Sequence, residues 1–309
     1  MSVVLSMITK NSFSELKNIL FETLNASLQI PYIHFILVDD SRDETSRVIR
    51  EWCKENNKEI YVLKSKRYGY YRTTRATARQ TAIDFFLENF KSEWLMFLDD
   101  DAVLNPGWWE EARIHIVDER VGLIWGLNYD ALPTRKRYLD MLGIDYVAYL
   151  KKQFEVRGGT HDTLLRRKAI EGIRIPPALH IFEDAYIKRW VEYKGWECRI
   201  LSSGVCHKNP GREPGMQTLK LMAEWGLKLG LEDPKYKNRF FGFYALARST
   251  AGFPLTILLY IKRDGVKGVS EGMKRAKTKW LYRLLLWLYS LRIKPPTNFG
   301  EALEKYADS

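Results

Sequence analysis

The chain has little cysteine: three residues, Cys53, Cys198 and Cys206, in 309. That count excludes a disulfide-stapled framework and fits a reducing compartment. Small buried side chains are the simplest reading of all three. The N-terminus lacks a basic stretch followed by an apolar run, so no secretory signal is expected. No stretch reaches the ~20 apolar residues that a spanning helix needs. The two candidates fall short, 240–261 because it carries Arg248 and is interrupted by Pro254, and 280–293 because it stops at 14 residues. No internal repeat or low-complexity tract is present. Acidic residues are scarce in the last third: residues 210–309 hold 18 Lys and Arg against 9 Asp and Glu, whereas the first 209 hold 31 against 29. The net charge of +11 therefore describes the partner of that last third rather than the whole fold.

What is present is a folded composition, 46% hydrophobic and 28% charged. Aromatics reach 13% with ten Trp, which suits surfaces that stack on rings or lie at a membrane interface. The first hundred residues alternate strand and helix signals. Apolar runs at 2–8, 34–38, 60–63 and 94–98 predict strands. Leu16, Ile19, Leu20 and Leu24 at helical spacing predict a helix over 12–28, and others are expected over 43–56 and 73–89. Further on, Asn105-Pro106-Gly107 opens a helix, 121–127 reads as a strand, 181–194 as a helix and 198–201 as a last strand leading to His207. Apolar strands separated by helices imply an α/β fold, a mostly parallel sheet with helices on both faces.

Such sheets bind ligands beyond the C-terminal ends of their strands. Two strands end there in acidic clusters, Asp39-Asp40 and Asp99-Asp100-Asp101. A nucleoside diphosphate leaves poorly unless its charge is neutralised, and a divalent cation held by one or two carboxylates does this. Asp99 and Asp101, two apart at a strand end, suit that task; a solvated acidic turn is the plainer alternative. Asp39 or Asp40 can accept hydrogen bonds from a ribose or a base edge, or can simply cap the helix at 43. Glu183-Asp184 opens a helix and could supply a general base, kept ionised by the positive helix end; capping is again the alternative. His207 is a candidate further metal ligand. The stretch 64–79 is basic; Arg79 is expected at a diphosphate pocket, and Lys64, Lys66, Arg67, Arg72 and Arg75 in a solvated loop.

The order of these motifs resembles family 2 of the inverting glycosyltransferases, over about residues 1–210. Val38-Asp39-Asp40-Ser41, Ala78-Arg79-Gln80, Asp99–Asp101, Pro106-Gly107-Trp108, Gly158-Gly159 through Arg166-Arg167, Glu183-Asp184, and His207 after the closing strand carry the likeness. Gln80 departs from the usual Asn, and the Gln-x-x-Arg-Trp motif of processive synthases is missing. The resemblance implies a GT-A fold with a helical C-terminal appendage, divided into 1–212 and 213–309. It implies that Asp39, Asp40, Arg79, Asp99 and Asp100 contact a UDP- or GDP-sugar. It further implies that Asp99, Asp101 and His207 hold Mn2+ or Mg2+, that Asp184 is the base, and that Gly158, Gly159 and Glu183 face the acceptor.

Residues 262–294 hold ten Lys and Arg against two acidic residues, interleaved with Trp280, Tyr282, Trp287 and Tyr289. Short apolar helices with basic flanks suit a membrane surface. The expectation is a lipid-linked or glycan acceptor, at the inner face of the cell membrane. No nucleic-acid partner is expected, and homo-oligomerisation stays open. The competing readings are a nucleotidyltransferase, which would want a glycine-rich loop where Thr9-Lys10-Asn11-Ser12 stands, and a non-catalytic membrane-surface protein on the same fold.

Overall fold

The computed structural model describes residues 2–130, 139–140, 143–208, 214–231, 236 and 238–306. The chain forms two compact units, Met1–Gly211 and Arg212–Ser309. The domain boundary expected at 212–213 lies outside the described residues.

The first unit is built on eight strands: β1 (Val3–Thr9), β2 (Tyr32–Asp39), β3 (Glu59–Leu63), β4 (Trp94–Leu98), β5 (Ala102–Leu104), β6 (Val121–Asp130), β7 (Asp162–Arg166) and β8 (Glu197–His207). Among the described residues these helices accompany them: α1 (Ser12–Ser27), α2 (Thr45–Glu55), α3 (Arg75–Asn89), α4 (Trp108–Ile116), α5 (Tyr146–Arg157), α6 (Arg167–Ile170) and α7 (Glu183–Tyr193). The strands form one sheet in the order β3-β2-β1-β4-β7-β6-β8-β5. Its first half is parallel, as the alternating apolar runs require. Every residue of β4 is buried, because the sheet is covered on both faces. Each fully buried Leu or Phe in such a core contributes roughly 1.5–3 kcal/mol.

The second half of the sheet is mixed. β7 runs antiparallel between β4 and β6, and β5 pairs antiparallel with the end of β8. Two registers there fix the acidic turn. Leu98 faces Asp162, and the Asp99 N–H donates to the His161 carbonyl at 3.0 Å. Ala102 faces His207, and the Lys208 N–H donates to the Asp101 carbonyl at 3.1 Å. The register of β8 on β6 shifts between Gly126 and Leu127. Gly204 makes this fit possible, since a Cβ there would overlap the Leu127 carbonyl.

The second unit is helical: α8 (Met216–Lys228), α9 (Arg239–Asp264), α10 (Gly268–Ser290) and α11 (Phe299–Tyr306). Ala223, Leu227, Tyr236 and Leu286 form its buried centre, with Phe241, Tyr282, Leu285 and Tyr289 packed against them. The apolar run that Pro254 interrupts in sequence is one continuous helix, with Pro254 on its exposed side. The proline removes its own backbone donor to the Thr250 carbonyl within the helix. α9 and α10 pack as a hairpin. Gly268 lets them meet, since a Cβ there would overlap the Tyr260 carbonyl, and Trp280 Nε1 donates to Thr250 Oγ1 at 3.0 Å.

Candidate functional site

The parallel strands β1, β2 and β4 deliver Thr9, Asp39 and the Asp99–Asp101 turn to one edge of the sheet. A cavity of about 330 Å3 lies there, lined among others by Lys10, Asp40, Arg75, Asp99, Asp101 and His180. A second, of about 480 Å3, shares Lys10, Asp40 and Thr73 with it and adds Asn11, Arg42 and Lys64. Asn11, which lines the second cavity, is held at positive φ (58°). Such strain is found where surrounding structure imposes a functional geometry.

Asp99, Asp101 and His207 each offer a ligand atom, and these atoms all lie within 4.8 Å of one another. His207 Nε2 is buried without a hydrogen-bond partner and stands 3.8 Å from Asp101 Oδ1. The ring is held from behind, where the Asn128 amide meets Nδ1 at 3.2 Å. The electrostatics favour a cation. Enclosure in the cleft pushes the Asp100 carboxyl up to about 7, against a hydrogen bond from Ser12 and with help from Asp101 and Asp99. Enclosure also raises Asp101, which His207 pulls down and Asp99 pushes up. Asp99 goes the other way: burial opposes it, but Arg79, His207 and Arg75 together hold it below the ordinary carboxylate range. Two carboxyls that resist ionising next to an ionised Asp99, beside an unpartnered imidazole nitrogen, fit a divalent ion.

Behind this turn lies a buried layer. His161 stacks edge-on to His207 at 5.2 Å, and burial, then His207, drives its pKa to about 3, so the ring is neutral. Asp162 is fully buried and accepts hydrogen bonds from Trp108 Nε1 at 2.7 Å and the Gly126 N–H at 2.9 Å. Burial raises its carboxyl well above the usual range despite both bonds.

The other expected residues divide. Asp40 lines both cavities, whereas Asp39 is buried and accepts from Thr9 Oγ1 at 2.9 Å and the Ser41 N–H at 3.0 Å, holding the strand-end turn. Arg79 is 1% exposed; it pairs with Asp99 and lies 4.6 Å over the Phe97 ring, behind the acidic turn. Arg75, one helical turn earlier, lines the cavity instead. Its enclosure in the cleft would lower its pKa, but the negative charges of Glu183, Asp99, Asp184 and Asp101 together raise it. Thr74 caps α3 just before it, accepting from the Thr77 N–H at 3.2 Å, so the positive helix end also faces the cavity. Glu183 does not follow the helix-end expectation. Burial, then Asp184, raises its carboxyl, because it is 4% exposed and the desolvation outweighs the dipole. Gly158 packs beneath α7, where a Cβ would lie 3.5 Å from the Asp184 carbonyl. Arg166 and Arg167 sit at the other end of β7, binding the carbonyls of Val121 and Ser92, and hold the scaffold.

The sequence reading passed over His180, Lys10 and Asn128 and placed Arg75 in a solvated loop. Only Arg75 left a trace there, four residues before Arg79 and hence on the same helix face.

Comparison with solved structures shows the same architecture. The mannosyltransferase PcManGT from Pyrobaculum calidifontis, in complex with GDP-Man and Mn2+, is 16% identical with a TM-score of 0.54, covering 94% of this chain and 87% of that one. S. aureus TarS 1–349 is 17% identical with a TM-score of 0.51, covering 94% and 92%, and its complex with UDP-GlcNAc aligns with a TM-score of 0.50. No curated protein matches in sequence. The model of the family described as glycosyl transferase family 2 matches residues 5–174, more than half of the chain. With the α/β sheet and the acidic turn at its strand ends in the expected order, the chain belongs to glycosyl transferase family 2 and is a nucleotide-sugar glycosyltransferase.

Proposed function

We propose that the protein transfers one sugar, with inversion, from a nucleoside diphosphate sugar to an acceptor at a membrane surface. The observation that carries this is the convergence of Asp99, Asp101 and His207 beside a cavity lined by Arg75 and the N-terminus of α3. In this reading Asp101, Asp99 and His207 hold Mn2+ or Mg2+. Bound there, the ion supplies neutralising charge to the departing diphosphate. Asp40 and Asp100 hold the nucleotide side of the donor, and Asp39 and Arg79 support them through the strand-end turn and through Asp99. Arg75 adds a positive charge beside the leaving phosphates.

The acceptor oxygen forms a bond to the anomeric carbon as the bond to the diphosphate breaks, and the electron pair leaves with the nucleoside diphosphate. Asp184 takes the proton of a hydroxyl acceptor. A lipid phosphate arrives ionised, and Asp184 then only orients it. Gly158, Gly159 and Glu183 border the acceptor side. UDP- and GDP-sugars are the donors to test first, since the related structures hold GDP-Man and UDP-GlcNAc.

The membrane part rests on the basic excess of residues 262–294. Among the described residues no helix is long and apolar enough to cross a membrane. Attachment is proposed to be peripheral, at the inner face of the cell membrane. Release of nucleoside diphosphate from UDP- and GDP-sugars with Mn2+ tests the chemistry. Wild type should release it and Asp101→Ala should not; equal release by both would remove Asp101 from the reaction.

A further inference from the structure

The second unit shows which surface would meet a lipid bilayer, and it is not the one that the sequence pattern suggests. Trp280, Tyr282 and Trp287 read as an interfacial belt, yet each is half-buried within the hairpin; Trp287, for example, packs on Phe243 at 5.9 Å. α9 carries a row of exposed apolar side chains. Phe240 is 83% exposed, Tyr244 59%, Leu255 60% and Leu258 59%. With exposed Ala247 and Ala251 they recur every three or four residues, so they form one apolar stripe about 27 Å long, bordered by exposed Arg248.

The neighbouring helix adds exposed cations beside exposed Met273 and Leu288. Lys274, Arg275, Lys277 and Lys279 are all exposed along α10, and Glu271 offsets only Arg275, at 3.5 Å. At the turn between the helices Val266 is 86% exposed, with exposed Lys262 and Lys267 near it.

We infer that the α9–α10 hairpin lies on an anionic lipid surface, with the apolar stripe of α9 in the headgroup layer and the lysine-rich face of α10 against the phosphates. This rests on the membrane part of the proposed function and assigns its residues. A second copy would cover the stripe but supply no counter-charge to the cations of α10, whereas anionic headgroups complement them. A nucleic acid would meet the cations but leave the stripe in water.

The test is sedimentation of the full chain with vesicles of phosphatidylcholine, alone or mixed with phosphatidylglycerol. Wild type should pellet with the mixed vesicles and stay in solution with the neutral ones. The double variants Leu255→Glu/Leu258→Glu and Lys274→Glu/Lys277→Glu should each bind the mixed vesicles roughly tenfold more weakly. Their melting temperatures and donor hydrolysis should match wild type, because all four side chains are exposed. Undiminished binding by either variant overturns the assignment, as does a wild type that ignores anionic vesicles. So does a dimer in solution that the leucine variant splits. Vesicle binding without donor hydrolysis in wild type would refute the transferase reading and leave this one standing; hydrolysis without vesicle binding would do the reverse.

Discussion

His207 Nε2 stands 3.8 Å from Asp101 Oδ1, and the pairing of Ala102 with His207 across β5 and β8 puts it there. That separation is too long for a hydrogen bond. It lies within the span of two ligands about 2.1 Å from one cation. A one-residue slip of β8 would carry His207 to the other face of the sheet.

The register therefore guards the site, and Gly204 guards the register. Gly204→Ala would drive a Cβ into the Leu127 carbonyl. The expected loss is roughly 1–3 kcal/mol of stability in urea unfolding, together with weaker Mn2+ binding.

Asn128 sets the ring's proton. A half-turn of its amide would place the otherwise unpartnered Oδ1 on an Nδ1–H of His207, leaving the Nε2 lone pair toward Asp101. Asn128→Leu should weaken Mn2+ binding about 10–100-fold, and Asn128→Asp, which keeps the acceptor oxygen, should restore most of it. Titration calorimetry with Mn2+ measures both.

Arg75 lines the cavity, and the charges of four carboxylates raise its pKa. Arg75→Ala should lower kcat/KM for the donor by about 10–1000-fold while leaving the melting temperature near that of wild type, because the side chain packs little. Steady-state kinetics on donor hydrolysis decide it.

Asp162 links pH to stability. Its folded pKa is raised, so its contribution is complete below the unfolded carboxylate value and is lost as pH rises through the folded one. Wild type should lose stability relative to Asp162→Asn as pH climbs from ~4 toward neutrality, by up to about 1.4 kcal/mol per pH unit. Thermal melts across that range show the slope.

The parallel half of the sheet was legible because β1, β2 and β4 are apolar runs, and period and length alone identify such strands. β5, three residues long, and β7, which starts on Asp162, carry no such pattern; tertiary pairing makes them strands. The acidic turn was legible from spacing. The choice between Asp39 and Asp40, or between Arg75 and Arg79, was not, because each pair differs by which side chain turns into the cavity. The C-terminal aromatics were open to two readings for the same reason: composition shows amphipathic material, and packing decides which side is dry.

The central claim is one cation site made by Asp99, Asp101 and His207. Electron paramagnetic resonance of Mn2+, titrated with wild type in the presence of UDP or GDP, tests it without requiring turnover. The account predicts one bound Mn2+ per chain, with binding lost in Asp101→Ala and strongly weakened in His207→Ala. Equal Mn2+ binding by wild type and Asp101→Ala would contradict it.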